Sequence, residues 1–350
     1  MLDQLTDILG DQYLLALSGA LIGVLFGAFA QYSRFCLRSA VVEVARRSFG
    51  ERTAVWLLAF STTLIATQAM LLFKLFDTSA VRALNNAGSL SGAVIGGLIF
   101  GAGMILARAC PARMIVLSAG GNLRALTSLT VFAVVTQIAR GGALSPLRAA
   151  INAWWTIGGP ARDLLAFSHV GYLGGIMLGV PWLVVGIAIA VQRKLRPSGW
   201  ITAVGIGMVV AAAWWLNFHL AATSFDVVPV QAVTFSTPLA DVLMYLLSPP
   251  GSMLTFGLGL VPGALAGGFL TALLRGELKI KGFEVGASMP RYITGSCLMA
   301  FGAVLAGGCS VGVGLSGSSI FALTAWVGLS SMWFGAIATD RLTSAVVKGG

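Results

Sequence analysis

Residues 105–110 read Ile-Leu-Ala-Arg-Ala-Cys, and residues 304–309 read Val-Leu-Ala-Gly-Gly-Cys. Gly-Ala-Gly-Met precedes the first and Ala-Phe-Gly-Ala the second, small residues suited to close helix packing. The match continues downstream: Leu117-Ser118-Ala119-Gly120 answers to Leu315-Ser316-Gly317, and Ala125-Leu126 to Ala322-Leu323. A weaker echo links Gly23, Gly27 and Ala28 with Gly259, Gly263 and Ala264. The chain therefore carries an internal repeat, with approximate halves 14–140 and 252–340 inside one domain spanning 1–350.

Each copy ends an apolar run, and such runs recur along the chain. A helix needs about 18–20 apolar residues to cross the ~30 Å hydrocarbon layer. Runs of that order cover 14–33, 53–75, 89–107, 123–139, 169–191, 200–218, 252–274, 290–308 and 320–338, which predicts nine spans. Apolar residues make up 57% of the chain and charged residues 10%. A soluble domain usually carries roughly 25% charge, so a water-covered surface is excluded. The period-2 alternation of a membrane barrel is missing, which leaves helices that satisfy their own backbone groups. Glycines at Gly19/Gly23/Gly27, Gly92/Gly96, Gly97/Gly101 and Gly259/Gly263/Gly267 predict close backbone contact between helices. The expected fold is an all-α polytopic integral membrane protein.

The net charge of +10 does not point to nucleic acid, because the cations are scattered over short loops. They form four groups: Arg46, Arg47 and Arg52; Arg193, Lys194 and Arg196; Arg275, Lys279 and Lys281; and Arg341 with Lys348. All four read as cytoplasmic under the positive-inside rule. Asp3, Asp7 and Asp11 then place the N-terminus outside, and no signal peptide or appended soluble domain is expected. On this map the stretch from His219 to Gly251, with Asp226, Pro229, Asp241, Pro249 and Pro250, is an outer loop. The first Cys-centred copy heads inward from Asp77, and the second heads outward from Arg275–Lys281. Opposite directions predict an inverted-topology repeat with its substrate site near the midplane.

Pro111 after Cys110, and Gly312 and Gly314 after Cys309, predict broken, re-entrant half-helices. Irregular backbone at membrane depth is tolerated only where protein buries it or it lines a cavity. Half-helix N-termini facing such a cavity favour an anion. Of the four cysteines, Cys297 lies mid-helix and reads as packing, whereas Cys110 and Cys309 hold equivalent places beside a break. Cys36 sits in a polar motif with Arg34 and Arg38, which either snorkel or line an anion path. Arg108 and Arg113 flank Cys110. No Cys-x-x-Cys occurs, and His169 and His219 lie far from any cysteine, so neither zinc nor another cofactor is expected.

Phe26-Gly27 with Ser33-Arg34-Phe35-Cys36, Gly97 to Met104 with Cys110-Pro111 and Gly120-Gly121-Asn122, and Gly302 with Leu305 to Cys309 together resemble the YeeE/YedE family. The resemblance runs from about 14 to 340 and is strongest at the three cysteine motifs. It implies an inverted-repeat transporter of the bacterial inner membrane that takes up thiosulfate or a close sulfur oxyanion. Carried over by motif, the substrate-binding residues are Cys36, Cys110 and Cys309, supported by Arg34, Arg113, Asn122, Ser310 and Ser316. A TusA-like sulfurtransferase is the partner it implies. The chain departs at Arg108-Ala109, where Gly-Gly is common. The alternative is an integral-membrane sulfurtransferase, in which one thiolate takes a sulfane sulfur.

Overall fold

A computed structural model describes residues 10–78, 81, 84, 87–168, 170–223, 229–249, 252–282 and 288–349. Asp3, Asp7, His169, Asp226, Pro250 and Gly251 lie outside these, and Lys348 has a described backbone only. The first half runs α1 (Asp11–Ser33), a short α2 (Leu37–Ala45), α3 (Glu51–Leu72), α4 (Leu90–Leu106), a short α5 (Pro111–Ala119) and α6 (Leu123–Gly141). A connection follows, with α7 (Ser145–Ala153), one turn at Leu164–Phe167, and α8 (Tyr172–Gln192). The second half runs α9 (Pro197–Thr223), a short α10 (Ser236–Leu247), α11 (Phe256–Leu274), α12 (Ser288–Leu305), a π turn at Gly312–Gly317, and α13 (Leu323–Gly349).

Each of the nine predicted spans coincides with a described helix of 17 residues or more. Six stretches of the described residues are long and apolar enough to cross a membrane: Asp11–Ala45 (α1 with α2), α3, Leu90–Ala119 (α4 with α5), α8, α9 and α11. The remaining three, α6, α12 and α13, fall short in hydropathy because they carry more hydroxyls and charges, such as Arg124, Arg140, Arg291 and Asp340. The most apolar of all, α8, leaves Leu173, Met177, Val184 and Val191 exposed, a face fit only for lipid.

The two halves share one order: long, short, long, long, short, long. They also run in opposite directions. Along α4 and α12, Gly96 meets Ala306 while Gly103 meets Met299, so these equivalent helices are antiparallel. Between α1 and α9, Gly205 meets the Phe29 ring while Leu14 and Leu15 pack on Leu220, again antiparallel.

This order moves the second half to 197–349, wider than the 252–340 read from the sequence. The stretch expected as an outer loop contains α10, and residues 230–240 are largely buried. The echo between α1 and α11 has another cause. These helices are not equivalent but pack against each other in parallel. A methyl added to Gly19, Gly23 or Gly27 would lie 2.0, 2.3 or 2.2 Å from the carbonyl oxygens of Phe256, Leu260 or Ala264. The register after the cysteines also shifts: α6 and α13 begin at Leu123 and Leu323, so these pair, not Ala125 with Ala322.

Candidate functional site

Three long helices stop in the same way. α1 ends at Ser33 and Arg34 turns left-handed, α4 ends at Leu106 and Arg108 turns left-handed, and α12 ends at Leu305 and Gly307 does so, with φ of 53°, 58° and 81°. Two residues after each turn stands a cysteine: Cys36, Cys110 and Cys309. Its carbonyl accepts the first hydrogen bond of the following short segment, from Ala40 N–H at 3.3 Å, Met114 N–H at 2.9 Å and Val313 N–H at 2.8 Å. The sequence repeat at the cysteines is thus a repeated way of reversing the chain inside the membrane.

An L-residue in the left-handed region costs roughly 1–2 kcal/mol, which glycine avoids. Gly307 meets this need directly, and Arg108 holds the same place at that cost. Arg108→Gly is therefore expected to fold, with stability within about 1 kcal/mol of the parent or above it. Thermal unfolding in detergent measures this, and a large loss would assign Arg108 a contact worth more than its backbone strain.

Cys36 and Cys110 form a pair, both buried. Each thiol interacts with the other; the N–H of Cys110 is directed at the Cys36 sulfur, and the N–H of Leu37 at the Cys110 sulfur. The Arg113 guanidinium lies close enough to both thiols to feel their charge. It donates to Gln31 Oε1 at 3.5 Å, and Gln31 donates to Glu277 at 2.9 Å. Glu277 also takes Arg34 at 3.8 Å and Arg275 at 3.3 Å. One carboxylate thus serves two cations directly and a third through Gln31, which leaves this end of the site positive.

Cys309 is fully buried and has a different neighbour. The Phe235 N–H donates to its sulfur at 3.3 Å, and the Thr234 hydroxyl lies 3.8 Å away. This mirrors the first half, where Leu37 N–H reaches Cys110, so Thr234 stands where Cys36 stands there. Nothing in the sequence reading singled out Thr234, although the apolar run from Val227 to Phe235 is unlike an exposed loop. Between the stations lie three buried rings. Phe26 sits 6.3 Å from Phe35, next to Cys36, and 5.1 Å from Phe235, beside Cys309.

The supporting residues separate. Ser310 is 2% exposed, and among the described residues its hydroxyl has no hydrogen-bond partner. Ser316 donates to the Val233 carbonyl at 2.7 Å, tying the π turn to the segment carrying Thr234. Asn122 is elsewhere: its side chain caps α6 at Ala125 N–H, and its strand-like neighbours bond to Lys279 and Lys281. That is a structural cap. Cys297 is only partly buried, in mid-α12. No cluster of metal-ligating side chains occurs among the described residues.

A family model described as sulphur transport matches residues 32–338, a range that holds all three cysteine motifs. The chain belongs to the sulphur-transport family. Curated relatives include the thiosulfate transporter TsuA of Escherichia coli strain K12, 26% identical over 338 residues, covering 91% of this chain and 92% of that one. A second is the thiosulfate transporter TsuA of Spirochaeta thermophila, 28% identical over 350 residues, covering 91% and 95%. As a member of the sulphur-transport family with this fold, the chain is a multi-pass membrane transporter, not an enzyme.

Proposed function

We propose that the protein imports thiosulfate across the bacterial cytoplasmic membrane, passing it between buried thiols without a covalent bond. The observation that carries this reading is the Cys36–Cys110 pair facing Arg113. Thiosulfate presents a soft terminal sulfur, which suits weak S–H donors, and charged oxygens, which suit a guanidinium. The groups acting most strongly on the two thiols are each other, backbone N–H groups and Arg113.

The orientation, N-terminus outside and C-terminus cytoplasmic, has support in how the cationic loops gather. Arg193 donates to the Ser48 and Phe49 carbonyls, Arg46 pairs with Asp340 at 3.2 Å, and Arg275 shares Glu277 with Arg34. All four basic groups thus meet on one face. That cationic face is where we place a TusA-like sulfur carrier that takes the imported anion.

Purified protein in liposomes should take up radiolabelled thiosulfate saturably, and the label recovered inside should be intact thiosulfate. Recovery of the label on protein as persulfide, with sulfite released outside, would replace this reading with the sulfurtransferase.

A further inference from the structure

The loop after α11 carries Glu277 among its cations, and the helix end fixes where that carboxylate points. Gly276 turns left-handed, with φ of 63°, and a methyl added to it would meet nothing within 4 Å, so its backbone conformation is what calls for glycine. The Gly276 N–H donates to the Leu273 carbonyl at 3.1 Å, and the Glu277 N–H to the Ala272 carbonyl at 2.8 Å. That is a Schellman cap, which closes α11 and holds Glu277 at a set place just beyond it. Because α11 packs in parallel on α1, the cap stands beside the end of α1. There the carboxylate takes Gln31 and Arg34 from α1 and its turn, and Arg275 from its own cap. Arg275 is fixed in turn over the Tyr32 ring, 4.2 Å from its centroid.

Burial falls along this set. Cys36, Cys110 and Gln31 are buried, whereas the Glu277 side chain is 26% exposed and that of Arg34 is 55% exposed. The line therefore runs from the thiol pair toward water on the basic face. Arg52 joins it by donating to the Ser33 carbonyl at 3.1 Å, and Arg113 feels the charges of both Arg34 and Arg52. Four guanidiniums thus surround the way out. A conducting site must bind well enough to admit an ion and weakly enough to release it. A divalent anion facing four unrelieved cations would leave slowly.

We propose that Glu277 sets the release of substrate on the basic face, as a fixed counter-anion that competes with the departing anion for Arg34 and Arg275. Gln31 is the positioning link. Its Nε2 donates to Glu277, which leaves Oε1 to accept from Arg113 Nη1, so the carboxylate fixes which end of the amide faces the guanidinium. Both α1 and α11 belong to one glycine seam, so this charge stays in place while the substrate passes. The assignment rests on thiosulfate uptake as proposed above.

The experiment measures initial rates of radiolabelled thiosulfate uptake in liposomes, with direct binding of the same anion to the purified full-length protein. Glu277→Gln should tighten binding and lower KM by about tenfold, and should lower the maximal rate by a similar factor because release becomes slow. The added affinity should fade as ionic strength rises. Glu277→Asp keeps the charge and should hold both constants within about threefold of the parent. Arg34→Gln should loosen binding, and combining it with Glu277→Gln should bring KM and the maximal rate back toward the parent. A purely structural role would lower the maximal rate or the yield of folded protein without tightening binding. Unchanged or weaker binding in folded Glu277→Gln, or an undiminished maximal rate, overturns the assignment while uptake by the parent stands. Should Glu277→Gln fail to fold, adding Arg34→Gln removes a cation left unpaired, and that pair must stay within about threefold of the parent or the assignment falls. A parent that takes up no thiosulfate overturns the proposed function itself, and this assignment with it.

Discussion

Cys110→Ala and Cys309→Ala are each expected to lower thiosulfate uptake by about 10- to 100-fold, the effect of losing a hydrogen bond to a charged partner worth ~1.5–3 kcal/mol. Both thiols are fully buried, so alanine leaves the anion no water in exchange for the lost donor. Cys→Ser keeps an O–H but offers a smaller and harder atom to the substrate sulfur, so serine should rescue part of the loss and not all of it. Cys36→Ala should resemble Cys110→Ala, because the two thiols act as a pair. Thr234→Val removes a hydroxyl beside Cys309 while keeping the shape, and a loss of about 5-fold is expected from ~1 kcal/mol. Cys297→Ala should change little, since that residue is partly exposed in mid-helix. Uptake in liposomes, normalised to folded protein, ranks the series. Normal transport by Cys110→Ala and Cys309→Ala would remove the thiols from the path.

Gly259→Val is expected to cost about 3 kcal/mol or more, at the upper end of overpacking effects, and to deplete the protein from the membrane. A single added methyl there would sit 1.8 Å from the Ala16 carbonyl oxygen and 2.8 Å from the Ala20 nitrogen. Gly263 and Gly267 face Ala20 and Val24 just as closely, at 2.3 and 2.0 Å. The obstacle is backbone in every case, so no rotamer change can make room. Gly141→Ala is the control: nothing lies within 4 Å of its added methyl, and its stability should move by less than about 1 kcal/mol. Melting of both variants in detergent decides the matter. Equal melting temperatures would mean that α1 and α11 are not in contact as described.

The spans were legible because bilayer thickness sets a length, and an apolar run of that length is read off directly. The cysteines were legible because both halves kept the residue type at Cys110 and Cys309. Where the halves diverged in chemistry, legibility ended. Thr234 holds the place of Cys36 with a hydroxyl for a thiol, so no match of letters revealed it, and α10, though apolar, is too short at 12 residues to read as a membrane element. The glycines of α1 and α11 were read as a repeat although their likeness comes from touching each other. Asn122 was carried into the site by its motif, yet a Gly-Gly-Asn sequence before a helix is also a turn and a cap, and here it is that. Glu277 stands among Arg275, Lys279 and Lys281, whose charge alone was read, with no spacing to join it to Gln31 before the chain folds.

The glycine seams also constrain the protein's kinematics. α1 and α4 belong to the first half, whereas their glycine-seam partners α11, α12 and α13 belong to the second. Inverted-repeat transporters commonly alternate access by rocking one rigid bundle against another. Here, sliding the halves past each other would drive carbonyl oxygens into α-carbons across all three seams. The interlocked long helices therefore act as a stator. Displacement during a turnover is left to what hangs from that stator: the reversal loops, the short segments they launch, and the phenyl rings between the stations.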